Sequence, residues 1–183
     1  MKSLLKSASL LLALTLATFS VNAQISVQVG GQAMMPKKNI VENAVNSKAH
    51  TTLVAALKAA GLVETLQSAG PFTVFAPVND AFENLPAGTV ETLLKAENKS
   101  KLSKVLTYHV ISGKYDFKAL SKLVKRGKNT LKTVSGNTLT FMMNGPRNIM
   151  VRDENGNTAN ISTYDVYQSN GVIHSIDTVL LPK

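Results

Sequence analysis

Four short segments containing Gly and Asn divide the C-terminal third of the chain, and they constrain the fold more than any other feature. They are residues 135–137 (Ser-Gly-Asn), Asn144-Gly145, Asn155-Gly156 and Asn170-Gly171. Asn and Gly tolerate the positive φ angles of tight hairpin turns. Residues 131–181 are therefore predicted to form a meander of antiparallel strands. The expected strands read "LKTV", "TLTFMM", "NIMVR", "TANIS", "YDVYQ" and "GVIHSIDTVLL".

The preceding half of the chain has the spacing of helices. In "HTTLVAALKAAG" (residues 50–61), Thr51 or Thr52 is the expected N-cap and Gly61 the left-handed C-cap. Two more helices are predicted in "NKSKLSKVLTYHV" and "DFKALSKLVK", the second capped by Asp116. One buried strand, "FTVFA" (residues 72–76), interrupts the helices. Helices followed by a meander predict an α+β fold.

The N-terminus predicts export. Lys2 and Lys6 precede an apolar run, and Val21 and Ala23 have the spacing of small residues before a cleavage site. We expect a signal peptide over residues 1–23 with cleavage after Ala23, a linker over 24–38 and one domain over 39–183. The apolar run is shorter than the roughly 20 residues of a membrane span. The predicted location is secreted or periplasmic, with no membrane span.

Composition limits how such an exported chain is stabilised and what it binds. There is no Cys, so disulfides are excluded and the fold depends on packing. Without residues 1–23 the chain has 18 basic and 11 acidic residues, a net charge of +7. Eleven of the bases lie between Lys95 and Lys132, with only Glu97 and Asp116 among them. This concentration of positive charge makes a polyanion a candidate partner.

Four ordered blocks resemble the fasciclin domain family. They are "TLVAALKAAGLVETL", "TVFAPVNDAFENLP", "LTYHVISGKY" and "NGVIHSIDTVLLP", and the resemblance extends from about residue 39 to the C-terminus. It implies a wedge or sandwich of about seven mixed strands flanked by several short helices. It also implies an extracellular or periplasmic module for cell adhesion and matrix contacts. Val78 replaces the hydroxyl residue frequent in the family, so Asn79 or Asp80 is expected to supply the helix cap.

The final block raises the question of catalysis. Alternation along the strand places His174 on the core side, as a polar group that fixes strand register, and Asp177 on the opposite face with Ser175. Ser175, His174 and Asp80 suggest a hydrolytic triad only on paper, because adjacent strand residues point to opposite faces. We therefore expect Asn79, Asp80, Gly171, His174 and Asp177 to be structural, and we expect no enzyme.

The Tyr-His block allows two interpretations. His109 shares a helical stripe with Leu106, whereas Tyr108 is expected at the boundary with water. The first interpretation is a core histidine and a rim tyrosine. The second, implied by the resemblance, is an adhesive surface of Leu106, Tyr108, His109, Val110 and Ile111. Asp165 joins this set because it lies where some animal members carry an integrin-binding stretch, although the preceding acid and Pro of that stretch are absent here.

A basic stripe is the second candidate interaction site. Lys118, Lys122 and Lys125 line the outer side of a predicted helix, and Arg126 and Lys128 extend the row. Such a stripe is usually a solvated helix face, and an anionic polysaccharide, envelope surface or acidic protein is the alternative. Nucleic acid is not expected, because the chain has no Trp and few aromatic residues near the lysines.

The sequence leaves one alternative to adhesion. Some fasciclin-like proteins bind carotenoids, and the alternative hypothesis is a carrier of a carotenoid or lipid. Its flexible apolar groove is lined by Phe141, Met142, Met143, Ile149 and Met150. The same residues are also ordinary core. No cofactor or metal is expected, because the three histidines are not at metal-ligand spacing. The first hypothesis is an exported, non-enzymatic module that contacts cell-surface or matrix macromolecules.

Overall fold

The structure, a computed structural model, describes residues 26–183. Within this range seven α-helices alternate with the strands, mostly in the first two thirds of the chain. They are α1 (Ile40–Ala44), α2 (Thr51–Ala60), α3 (Val63–Gln67), α4 (Asn79–Glu83), α5 (Thr89–Leu94), α6 (Lys99–Tyr108) and α7 (Phe117–Lys125). Short 3₁₀ turns at Lys48–His50 and Ala96–Asn98 precede α2 and α6. None of these helices has the length and apolar character to cross a bilayer.

The described strands form a two-stranded hairpin and a seven-stranded sheet. The sheet has the order β4-β3-β9-β8-β7-β6-β5, and all its neighbouring strands are antiparallel except β3 and β9, which are parallel. This arrangement confirms the predicted α+β class with about seven mixed strands. The strands are β1 (Val27–Val29), β2 (Gln32–Met34), β3 (Phe72–Pro77), β4 (Val110–Ser112), β5 (Thr130–Lys132), β6 (Thr138–Met143), β7 (Ile149–Arg152), β8 (Thr158–Gln168) and β9 (Gly171–Ile176).

The two ends of the sheet approach each other. The N–H of Val134, just after β5, donates to the carbonyl of Val110 in β4 at 2.8 Å, so the sheet is nearly closed. Strands β3 and β9 are buried on both faces and separate two cores. The helical core contains Val74 and Ile173 from these strands, with apolar residues of α2 and α6. The sheet core contains Phe75 and Ile176, with Leu120 of α7 and the inward residues of β6, β7 and β8.

The prediction of a linker before residue 39 is wrong for residues 27–34, which form the hairpin β1–β2. Gly30 and Gly31 have φ angles of 59° and 75° and make its turn. Val29 and Met34 are only 7% and 3% exposed and belong to the helical core. The glycines that suggested a linker therefore allow the chain to fold back and bury two apolar side chains. The predicted signal peptide lies outside the described residues.

The meander has five strands from residue 130 onward, not six. "TANIS" and "YDVYQ" were expected as separate strands, but both belong to β8. The pairing of β8 with β9 shifts between Ile161 and Thr163 and again between Thr163 and Val166. Asp165, with a φ of 56°, lies in the second irregularity. A bulged strand of this kind changes direction without a break, and this explains why the two predicted strands form one.

Two helix caps differ from the predictions, whereas two agree. Gly61 is left-handed with a φ of 73°, and the Asp116 side chain accepts from Ala119 N, as expected. Neither Thr51 nor Thr52 caps α2, and neither Asn79 nor Asp80 caps α4 through its side chain. The Asn79 side chain instead accepts from Thr52 N at 3.1 Å, so a residue of α4 caps α2 across the fold.

Candidate functional site

His174 lies in the middle of β9 with its ring in the sheet core. Its exposure is 0%, which confirms the predicted inward orientation. Nε2 donates to the carbonyl of Tyr115 at 2.8 Å, and Nδ1 accepts from the backbone N–H of Asp165 at 3.3 Å. The ring stacks on Phe75 and meets Tyr164 edge-on, at centroid distances of 5.5 and 6.0 Å. Both nitrogens are thus used to join β9 to the α7 entrance and to the bulge of β8.

The other two histidines are also buried and bonded. Nδ1 of His109 donates to the carbonyl of Val105 at 2.8 Å, and its Nε2 accepts from Leu180 N at 3.0 Å. His50 lies between two serine hydroxyls, with Nδ1 2.9 Å from Ser47 Oγ and Nε2 3.3 Å from Ser175 Oγ. Each ring therefore connects segments that are distant in sequence.

Burial makes these imidazoles weak bases. It lowers the pKa of His109 to about 4, and it also lowers the pKa values of His50 and His174. A neutral ring satisfies one donor and one acceptor, and this is the pattern that His109 and His174 show. All three histidines are consequently neutral at physiological pH.

The pairing of His50 with Ser175 is the arrangement nearest to a nucleophile and base, and no sequence pattern predicts it. The two residues are 125 positions apart and lack a shared motif. Ser175 is 1% exposed and His50 3% exposed, and the third member is Ser47 rather than a carboxylate. His174 points to the other side of β9, as predicted. Within residues 26–183, Ser175 is therefore closed to a substrate, and a hydroxyl rather than an acid orients His50.

The prediction that Tyr108 lies at the boundary with water is wrong. Its exposure is 0%, and its hydroxyl donates to the carbonyl of Thr138 at 2.8 Å and accepts from Glu154 N at 3.0 Å. Burial raises the pKa of Tyr108 to about 12. The helix ends at Tyr108, so the ring turns into the sheet core and does not stay on the rim.

The proposed adhesive set around Tyr108 consequently lacks a surface. None of its members except Asp165 is more than 4% exposed: Leu106 is 4%, His109 3%, Val110 4% and Ile111 2%. Val110 and Ile111 belong to β4, and the side chains divide between the two cores. These side chains are buried because α6 ends at Tyr108 and β4 begins at Val110, so that both faces of the segment pack against a core.

Asp165 is half-buried and holds the start of α7. Its carboxylate accepts from Phe117 N at 2.7 Å, next to the Asp116 carboxylate that accepts from Ala119 N at 2.8 Å. Its own N–H donates to His174. Two acids therefore satisfy free N–H groups at one helix N-terminus, where negative charge is favourable. Asp165 therefore has a structural role at the start of α7, in addition to the interaction role that is expected for it.

Two further residues expected to be structural have definite contacts. Asp177 accepts from the backbone and side-chain nitrogens of Asn160 at 2.8 and 2.9 Å, which joins the end of β9 to β8. Gly171 does not have the positive φ expected of the Asn-Gly turn. A Cβ at this position would collide with the carbonyl of Phe72, so glycine is required by the close approach of β3.

The predicted apolar groove does not exist, because its residues alternate between two faces of the sheet. Phe141 and Ile149 point inward and are 0% and 1% exposed. Met142 and Met150 are cross-strand partners on the outer face. The apolar cavity in the helical core, which is lined by residues such as Met34 and Leu57, has a volume of about 30 Å³. That is room for about one water molecule and not for a carotenoid.

The basic stripe on α7 lies where the sequence predicts. Leu120 is fully buried in the sheet core, and the opposite face of the helix is solvated. All five members of the stripe are exposed: Lys118, Lys122, Lys125, Arg126 and Lys128. No group of three or more His, Cys, Asp or Glu side chains within residues 26–183 has a metal-binding arrangement.

Comparison with known proteins agrees with this architecture. The chain is 50% identical to protein sll1483 of Synechocystis sp. over 143 residues, which cover 78% of this chain and 73% of that protein. It is 36% identical to the cell surface glycolipoprotein MPB83 of Mycobacterium bovis over 166 residues, covering 87% of this chain and 68% of the relative. It is 37% identical to the transforming growth factor-beta-induced protein ig-h3 of Sus scrofa, with 71% of this chain and 17% of that protein covered.

The fold has a counterpart among solved structures. A fasciclin domain pair from the insect cell adhesion molecule fasciclin I superposes with a TM-score of 0.72 at 19% sequence identity. The match covers 80% of this chain and 51% of the pair, so the chain spans about half of that structure. A model of the family described as "Fasciclin domain" matches residues 48–182. The chain belongs to the fasciclin domain family.

Proposed function

We propose that this chain is an exported, non-enzymatic module that contacts macromolecules of the cell surface or the surrounding matrix. The observation that carries the proposal is the placement of its polar groups. The three histidines are buried and bonded to the scaffold, whereas the lysines of α7 are exposed. Because the histidines serve the scaffold, the groups that remain available to a partner are those on the surface.

The relatives support this proposal through what their names say of them. MPB83 is named as a cell surface glycolipoprotein, and fasciclin I as a cell adhesion molecule. The sequence adds a predicted signal peptide over residues 1–23, which would bring the domain to the same side of the membrane. The domain would bind through a surface that is complementary to its partner and is held in place by a rigid scaffold.

A surface-binding assay tests the proposal. Fluorescently labelled protein is mixed with intact cells and with isolated matrix of the source organism, and the bound fraction is measured after washing. We expect saturable retention by one of the two and loss of retention after heat denaturation. Deletion of the gene should reduce surface attachment or aggregation of the cells. Protein that stays entirely in the supernatant, together with unchanged attachment of the deletion strain, would contradict the proposal.

A further inference from the structure

The excess of basic over acidic residues in the described chain comes from one continuous segment. Residues 117–152 contain eight basic residues and no Asp or Glu. The rest of the described chain contains ten basic and eleven acidic residues, a net charge of −1. The segment therefore accounts for the net positive charge of residues 26–183. It comprises α7, β5, β6 and β7, which lie together at one end of the sheet.

All eight bases are exposed, but they do not share one face. Lys118, Lys122 and Lys125 point away from the sheet core, since Leu120 fills it from the other side of α7. Lys132 and Arg152 lie on the outer face of the sheet, because their strand neighbours Leu131 and Val151 belong to the sheet core. The third base away from the helix, Arg147, is in the turn between β6 and β7.

The helix stripe has the regularity that a linear polymer requires. Positions 118, 122 and 125 are separated by four and three residues, so the side chains emerge on successive turns of one face. The distance along the axis from Lys118 to Lys125 is about 10 Å at 1.5 Å per residue. Arg126 and Lys128 continue the row past the end of the helix.

The structural reasons for basic residues explain only part of this stripe. Cations near a helix C-terminus are stabilising, which accounts for Lys125 and Arg126. Lys118 is the second residue of α7 and lies at the opposite end, where a cation is unfavourable. Two acids at that end of the helix, Asp116 and Asp165, accept from backbone N–H groups of α7. The remaining charge therefore faces the solvent without a role in the fold.

We propose that the α7 stripe, Lys118 to Lys128, binds a linear acidic polysaccharide through its carboxylate or sulfate groups. This inference rests on the proposed surface-binding function and names the partner class. Repeated anions along a flexible, hydrophilic chain match a row of exposed ammonium groups. Each contact is weak and salt-sensitive alone, and several along one polymer act together.

Two other polyanions fit this surface less well. A membrane-binding basic face normally carries exposed apolar anchors beside the lysines. The large exposed apolar residues of the described chain are Met35, Val45, Leu94, Val134 and Tyr167, and none is on α7. Single-stranded nucleic acid needs exposed aromatic rings for stacking. The aromatic residues of segment 117–152 are Phe117 and Phe141, whose rings pack on Tyr164 and Phe75.

The test compares two variants that remove the same charge from different faces. One combines Lys118→Gln, Lys122→Gln and Lys125→Gln. The matched control combines Lys132→Gln, Arg147→Gln and Arg152→Gln, from the same acid-free segment. Binding of the purified protein to immobilised polygalacturonate and dextran sulfate is measured in 50 mM and 500 mM salt, with neutral dextran as the blank. A third variant with Lys→Arg at positions 118, 122 and 125 keeps the charge.

We expect the helix variant to lose affinity about tenfold or more, and the control less than threefold. The Lys→Arg variant should bind like the original protein, and high salt should abolish binding of all forms. Equal losses in helix variant and control would overturn the site, since they indicate binding through net charge alone. Stronger binding to double-stranded DNA or to phosphatidylglycerol vesicles than to either polysaccharide would overturn the partner class.

The same samples separate this inference from the function on which it rests. If the protein attaches to cells or matrix but binds neither polysaccharide, the polysaccharide inference fails and the surface function stands. If the helix variant attaches to cells as well as the original protein does, the stripe is not the contact. If no form attaches to any surface, the proposed function fails as well. Thermal melting of each variant establishes that it is folded.

Discussion

The polar groups around β9 and those along α7 lie in opposite environments within one domain. In β9, His174 and Ser175 are at most 1% exposed, and each is bonded to a residue from a distant segment. On α7, Lys118, Lys122 and Lys125 are exposed. The first region uses polarity to define the packing of strands, and the second leaves charge in water.

This difference indicates where to look for function in the domain. A buried polar group left without its partner costs free energy, so changes around β9 should appear as lost stability. An exposed charge costs little to remove, so changes on α7 should appear as lost binding. The two regions should therefore respond to mutation and to pH in separable ways.

Acidification should produce the largest effect, through the buried histidines. Because burial lowers the pKa of His109 to about 4, the unfolded chain, with an ordinary histidine pKa of 6.5, binds the proton more readily. Stability is complete above pH 6.5 and falls as the pH decreases towards 4. His109 alone should cost about 2 kcal/mol by pH 5. The lowered pKa values of His50 and His174 act in the same direction.

Urea unfolding between pH 7.5 and 5 measures this dependence. The α7 variant with glutamine at positions 118, 122 and 125 is the control, and it should show the same pH slope as the original protein. A free energy of unfolding that stays constant over this range would mean that the histidines are not buried in neutral form. That result would contradict the proposed difference between the buried polar groups around β9 and the exposed charges of α7.

Replacement of His174 should have the next largest effect. His174→Ala leaves the carbonyl of Tyr115 and the N–H of Asp165 without their partner and opens space between Phe75 and Tyr164. We expect a loss of about 2 kcal/mol in the free energy of unfolding. Polysaccharide binding by the folded fraction should not change. A variant as stable as the original protein, but unable to bind, would assign the histidine to function rather than to the scaffold.

Asp165 should give a smaller effect, because it is half-buried. Asp165→Ala removes the acceptor for Phe117 N. It also places alanine at a φ of 56°, a left-handed conformation that alanine adopts less readily than Asp or Asn. We expect a loss of about 1 kcal/mol in thermal or urea unfolding. Asp165→Asn is the matched control, since it keeps an acceptor and tolerates the left-handed conformation. An alanine variant of full stability that no longer attaches to cells would make Asp165 an interaction residue.

The sequence predicted local features well and long-range partners poorly. Gly61, Asp116 and the alternation along β9 act within a few residues, and each has its predicted conformation. The use of Asn79 to cap α2 depends on contacts between segments 27 residues apart, which no local pattern encodes. Tyr108 was misplaced for a related reason. A helical wheel places it near water, but the helix ends there, and its hydroxyl finds partners on the sheet.

Removal of the α7 lysines should have the smallest effect on stability, and its sign is informative. Lys118 and Lys122 are four residues apart and Lys122 and Lys125 three apart, so like charges repel along the helix. Glutamine has nearly the same helix propensity as lysine. The triple glutamine variant should therefore gain about 0.5 kcal/mol at low salt, and this gain should disappear near 1 M salt. A loss of more than about 1 kcal/mol would show instead that the lysine stems cover apolar surface and belong to the scaffold. A gain in the free energy of unfolding would mean that the three lysines destabilise the fold. Residues that lower stability are expected where a surface binds a partner.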